Sequence, residues 1–190
     1  HHHPPFSTGS RHGWSAQMQM QIDAVCTRVG FWPHADLAGH AHNYQRFTRT
    51  RSIQVAGATI AAQIPYLVCG NGGHALQKLR GRGGSTLRAP QVVQTSAQGN
   101  QRNQVVGQVV LESYDDVDYG YLRVVVDAKQ LRIEYHPATD GSTAKTPDDA
   151  VTVDIATRQL VHYVAPNLGE PGEATRARTK RTPYRRKRSS

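Results

Sequence analysis

Apolar residues Trp14, Met18, Ile22, Val25 and Val29 recur at steps of three and four, which predicts an amphipathic helix over residues 15–29 with Gly30 as its stop. Before it, Pro4, Pro5, Gly9 and Gly13 make residues 1–13 a loop. Residues 36–38 read as a short buried strand. Residues 64–69 read as another, running into Gly70-Asn71-Gly72-Gly73-His74, where glycines allow a tight turn or a close backbone approach to a site. After Gly81 the chain is punctuated by Gly83, Gly84 and Pro90. Val, Ile and Tyr then enrich residues 92–96, 105–113, 120–127 and 131–136, which predicts strands, as does the run 151–155. Alternation is clearest at Tyr121-Leu122-Arg123-Val124, and Ala128-Lys129-Gln130 suits a hairpin connection. Residues 137–149 form a polar loop. Beyond Ala165 no periodicity remains, and disorder is expected.

Composition narrows the picture modestly. The 190 residues suffice for one domain with a real core, and 37% hydrophobic with 19% charged residues fits a soluble globular protein. No apolar run approaches the roughly 20 residues a membrane helix needs, and there is no signal-peptide pattern. The chain opens without methionine, so it reads as a fragment, a processed product or an incomplete reading frame. Eight of the 23 Lys and Arg residues lie in residues 176–188, leaving 15 against 14 acidic residues elsewhere, so the net charge of +9 belongs to the tail. Cys26 and Cys69 sit in apolar stretches without metal-type spacing and read as buried free thiols, with a disulfide as the unsupported alternative.

The chemistry concentrates in histidine. His40 and His42 stand one residue apart just after the predicted strand 36–38. A turn leaving that strand can aim both imidazoles into one cavity, toward two neighbouring metal ions or two faces of one. The opening His1-His2-His3-Pro4-Pro5-Phe6-Ser7 and Arg11-His12-Gly13 add further imidazoles.

These segments, with Gly39-His40-Ala41-His42-Asn43-Tyr44-Gln45-Arg46, resemble the calcineurin-like metallophosphoesterases, and among them the purple acid phosphatases and their bacterial relatives. The similarity extends through residues 66–74 and 119–122. It covers roughly residues 1–155 and corresponds to the later half of the family domain. The resemblance implies an α/β fold, a metallophosphoesterase-type β-sandwich flanked by helices, represented here by its C-terminal half. Residues 1–165 would form that part and residues 166–190 a disordered basic tail. It implies two divalent or trivalent metal ions (Fe, Zn or Mn) and a phosphate-ester substrate. His2 and His40 would ligate one ion and His42 the other. His1 and His3 stand as alternatives to His2. His12 would contact the substrate or leaving group, as a general acid does. The family's earlier motifs, which supply an Asp, a bridging Asp and an Asn, have no counterpart in this sequence. The chain alone is therefore expected to be inactive.

Rival readings remain. His1–His3 also fit a tag remnant, and His40 and His42 ordinary turn residues. His74 can line the site or merely occupy its glycine loop. Asn43, Tyr44 and Arg46 are expected to brace the His-bearing loop, and His34, His136 and His162 to be structural. The basic tail suggests polyanion or nucleic-acid binding without catalysis. A degenerate phosphoesterase half surviving as an interaction module is the third reading. No membrane partner is expected.

Overall fold

The computed structural model describes residues 1–8, 15–79, 87–94, 107–138 and 147–164. Helix α1 spans Ala16–Val29. Ser15 caps its start, its hydroxyl accepting from the Met18 amide at 3.2 Å, and Gly30 ends it in the left-handed conformation. Among the described residues eight strands follow: β1 Asp36–Ala38, β2 Tyr44–Val55, β3 Ala58–Cys69, β4 Gln91–Gln94, β5 Gln108–Asp115, β6 Gly120–Val126, β7 Gln130–Pro137 and β8 Asp149–Asp154. They form a five-stranded sheet in the order β1-β3-β2-β5-β4 and a three-stranded sheet in the order β6-β7-β8. Only β1 runs parallel to its neighbour.

Alternation along β2 and β3 sorts the two faces of the larger sheet. Phe47, Ile53, Ala62, Ile64, Tyr66 and Val68 face α1 and pack with Phe6, Trp32, Cys26 and Leu111. Each fully buried Phe, Ile, Leu or Val side chain there contributes roughly 1.5–3 kcal/mol. Tyr44 and Leu67 point the other way, onto Ile133, Tyr135 and Val151 of the smaller sheet, so the two sheets pack face to face. Opposite the Arg46–Phe47 step of β2, Glu112 is an extra residue in β5. This bulge reverses the alternation, so Leu111 and Tyr114 both reach the α1 side.

Two expectations need correction. The face of α1 that packs is built on Gln19, Ile22 and Cys26, while Val25 and Val29 are exposed. The displaced stripe has a polar cause. Gln19 is fully buried and donates to Asp23 at 2.8 Å, and Asp23 forms a two-bond ion pair (2.8 and 2.6 Å) with the fully buried Arg49. Residues 44–63, given no element from the sequence, form the longest hairpin in the described residues. Its two-residue turn, Ala56-Gly57, has φ of 49° and 82°, the doubly positive geometry that matches strand twist and favours glycine.

The other predicted strands appear with boundaries shifted by a few residues. Residues 95–96, 105–106, 139–146 and the tail lie outside the described residues. Two packed sheets agree with the expected sandwich, and among the described residues α1 is its single helix. Cys26 and Cys69 are free thiols, the first buried and the second half-buried. Among the described residues no helix is long and apolar enough to cross a membrane.

Candidate metal centre

Three segments meet at one end of the larger sheet: the opening His1–Thr8 stretch, the loop 39–43 that leaves β1, and the loop 70–79 that leaves β3. The first two are joined by the Gly39 amide donating to the His2 carbonyl at 3.1 Å. The last two are joined by Gly70 N–H to Asn43 C=O and Gln77 N–H to His42 C=O, at 3.2 and 2.9 Å. A Cβ on Gly70 would lie 2.1 Å from the Ala41 carbonyl oxygen, so this approach tolerates no side chain.

Gln45, fully buried, links the segments. Its amide nitrogen donates to Ser7 Oγ and Asn43 Oδ1 at 3.0 and 2.8 Å, and its oxygen accepts from the Thr8 amide at 2.8 Å. Asn43 in turn donates to the Gln77 carbonyl at 3.1 Å. Tyr44 stacks on Tyr135 at 3.9 Å and donates to Asp149, which also receives two bonds from Arg46 at 2.7 and 2.9 Å. Asn43 thus ties the His-bearing loop to the loop after β3, as expected, while Tyr44 and Arg46 anchor the start of β2 to the smaller sheet.

The imidazoles fall into two groups. His40 Nδ1 lies 2.9 Å from His2 Nε2, and the ligand nitrogens of His2, His3 and His40 all lie within 4.8 Å of one another. His40 holds φ of 65°, a left-handed conformation unusual for a residue with a side chain and a mark of strain at functional sites. His42 stands apart from that trio, its ring 4.2 Å from His74. His42 Nδ1–H donates to the Ala75 carbonyl at 3.1 Å. Metal-binding histidines commonly use this second-nitrogen anchor.

His1 has a different role. Its Nε2 meets Asp36 Oδ1 and its Nδ1 meets the His3 carbonyl, each at 2.8 Å. Both ring nitrogens of His1 therefore sit against oxygen atoms. Burial pushes the Asp36 carboxyl up to about 6. With both nitrogens engaged, His1 is withdrawn from the cluster, and His2 and His3 remain.

His12 lies outside the described residues. His34 donates to the Ile155 carbonyl at 3.0 Å and His136 to Glu134 at 3.1 Å, both structural contacts. Sequence reasoning left Gln45 and Gln77 unread. Their only signal was proximity to the histidine and glycine segments. A separate cleft of about 200 Å³ lies at the hairpin end of the sheet, beside Trp32 and Arg51, and no predicted site residue lines it. Comparison with protein-family models, curated proteins and solved structures finds no match to this chain.

Proposed function

We propose that this chain supplies the histidine half of a metal-dependent phosphoesterase, an α/β sandwich enzyme that hydrolyses phosphate esters. The observation that carries the reading is the 2.9 Å approach of His2 and His40, brought from positions 38 apart onto a strained, tightly braced loop. The donor set fits a zinc- or iron-class ion, since neutral imidazole suits both. His2 and His40 would hold one ion and His42, through Nε2, a second. A bound metal pair supplies Lewis-acid stabilisation of charge on the phosphoryl oxygens. His12 would donate a proton to the departing ester oxygen. Asn43, Gln45, Tyr44 and Arg46 hold the ligands in register, which matters because small misplacements cost large factors in rate.

Among the described residues the histidine trio includes no carboxylate. Two cations at about 3.5–4 Å need bridging negative charge, so the reading assigns an Asp, a bridging Asp and an Asn to sequence preceding His1. The 190 residues alone are therefore expected to turn over a chromogenic phosphate ester negligibly with zinc, manganese or iron supplied. A protein extended by the upstream coding sequence should hydrolyse it. In that protein His40→Ala or His42→Ala should lower bound metal and activity together, whereas His12→Ala should lower turnover with metal retained. Upstream sequence without those acidic residues, or an extended protein that binds metal and leaves phosphate esters intact, contradicts the reading. The polyanion alternative rests on residues 176–188, outside the described residues.

A further inference from the structure

We infer that His2, His3 and His40 form a three-imidazole site for a single zinc-class ion, with His3 as the third ligand. The inference rests on the proposed pairing of His2 with His40 and adds a residue to which the family resemblance gives only the place of an alternative. Two nitrogens each about 2.0–2.1 Å from a tetrahedral ion lie about 3.4 Å apart. The His2–His40 nitrogens are 2.9 Å apart, and the whole trio falls within 4.8 Å, so small ring rotations bring all three onto one ion. His3 is already packed against both neighbours, its ring centroid 4.8 Å from that of His2 and 4.3 Å from that of His40.

Local contacts explain why His3 joins the cluster and His1 does not. Asp36 takes His1 Nε2 while His1 Nδ1 grips the His3 carbonyl, fixing the His3 backbone. Pro4 and Pro5, both buried, follow directly, and a residue before proline is confined to extended conformations. His40, in the left-handed conformation, brings its ring against both, 4.8 Å from that of His2 and 4.3 Å from that of His3. His2 and His3 are exposed and His40 is half-buried, so an entering ion has access and a solvent-facing position remains for water or an anion. Three neutral nitrogens with an open position suit Zn²⁺, Co²⁺, Ni²⁺ or Cu²⁺, whereas Mg²⁺ and Ca²⁺ demand oxygen donors.

Zinc, cobalt and magnesium titrations of the full 190-residue chain test this, read by calorimetry and, for cobalt, by visible absorption. One zinc should bind per chain, and magnesium should not compete. His2→Ala, His3→Ala and His40→Ala should each weaken zinc by roughly tenfold or more, and His42→Ala should leave that event unchanged. His3→Gln serves as a second variant, and circular dichroism verifies that each variant is folded. If His3→Ala and His3→Gln bind zinc like the parent while His2→Ala and His40→Ala lose it, the three-imidazole site is overturned and the two-histidine pairing stands. If His40→Ala binds like the parent, the ion belongs to the run of adjacent histidines, and the inference and the pairing fall together.

Discussion

The two faces of the five-stranded sheet solve different problems. The face toward α1 is aliphatic and aromatic, interrupted by one fully buried arginine, Arg49, held by Asp23. The face toward the smaller sheet is mixed: Tyr44 stacks on Tyr135 beside the Arg46–Asp149 pair, and Tyr135 O–H donates to Asp115 at 2.8 Å while accepting from Asn71 at 2.7 Å. Tyr44 follows the histidine loop directly and Asn71 opens the glycine-rich loop. The first face therefore carries most of the apolar burial, while the second, together with Gln45 at the end of the first, sets where the histidines sit.

Substitutions can break that division, beginning with the largest effect. Arg49→Ala leaves the Asp23 carboxylate half-buried without its main partner, and should cost about 3–5 kcal/mol in urea denaturation. Zinc affinity of the molecules that remain folded should be unchanged. Gly70→Ala should do the reverse. Its new Cβ must displace the Ala41 carbonyl and with it the histidine loop, for a stability cost of about 1–3 kcal/mol. Calorimetry should show zinc affinity falling further than that cost alone implies. Tyr135→Phe removes one hydroxyl shared by Asn71 and Asp115, and thermal unfolding should report a loss of about 1–3 kcal/mol.

The smallest effect lies on neither face. Burial pushes the Glu134 carboxyl up, but hydrogen bonds from Arg132 and His136 and the charges of Arg132 and Arg123 outweigh it and hold the group below the usual glutamate range. A depressed carboxyl contributes stability that is present above its unfolded pKa and lost as pH falls through its folded value. Glu134→Gln should cost about 1 kcal/mol at neutral pH, and the gap between variant and parent should close in acid. Zinc binding should not respond.

What the sequence revealed follows the same division. The α1 boundaries were legible because Ser15 and Gly30 are local signals, whereas its buried face was not. Gln19 and Asp23 pack because Arg49, distant in sequence, demands a partner, and apolar periodicity cannot register that. Strand β2 went unread for a related reason. Its Arg46, Arg49 and Arg51 look solvent-exposed in a linear pattern, yet the first and third are half-buried and the second fully buried once carboxylates meet them. The His2–His40 approach was anticipated only through the family resemblance, and the position of His74, which the sequence left open, is beside His42.

Crystals of the full chain grown with zinc, and diffraction collected at the zinc absorption edge, test the central claim most directly. The account predicts an anomalous peak within bonding distance, about 2.0–2.1 Å, of His2 Nε2 and His40 Nδ1. Zinc elsewhere on the surface, with those two nitrogens still facing each other across an empty 2.9 Å gap, would contradict it.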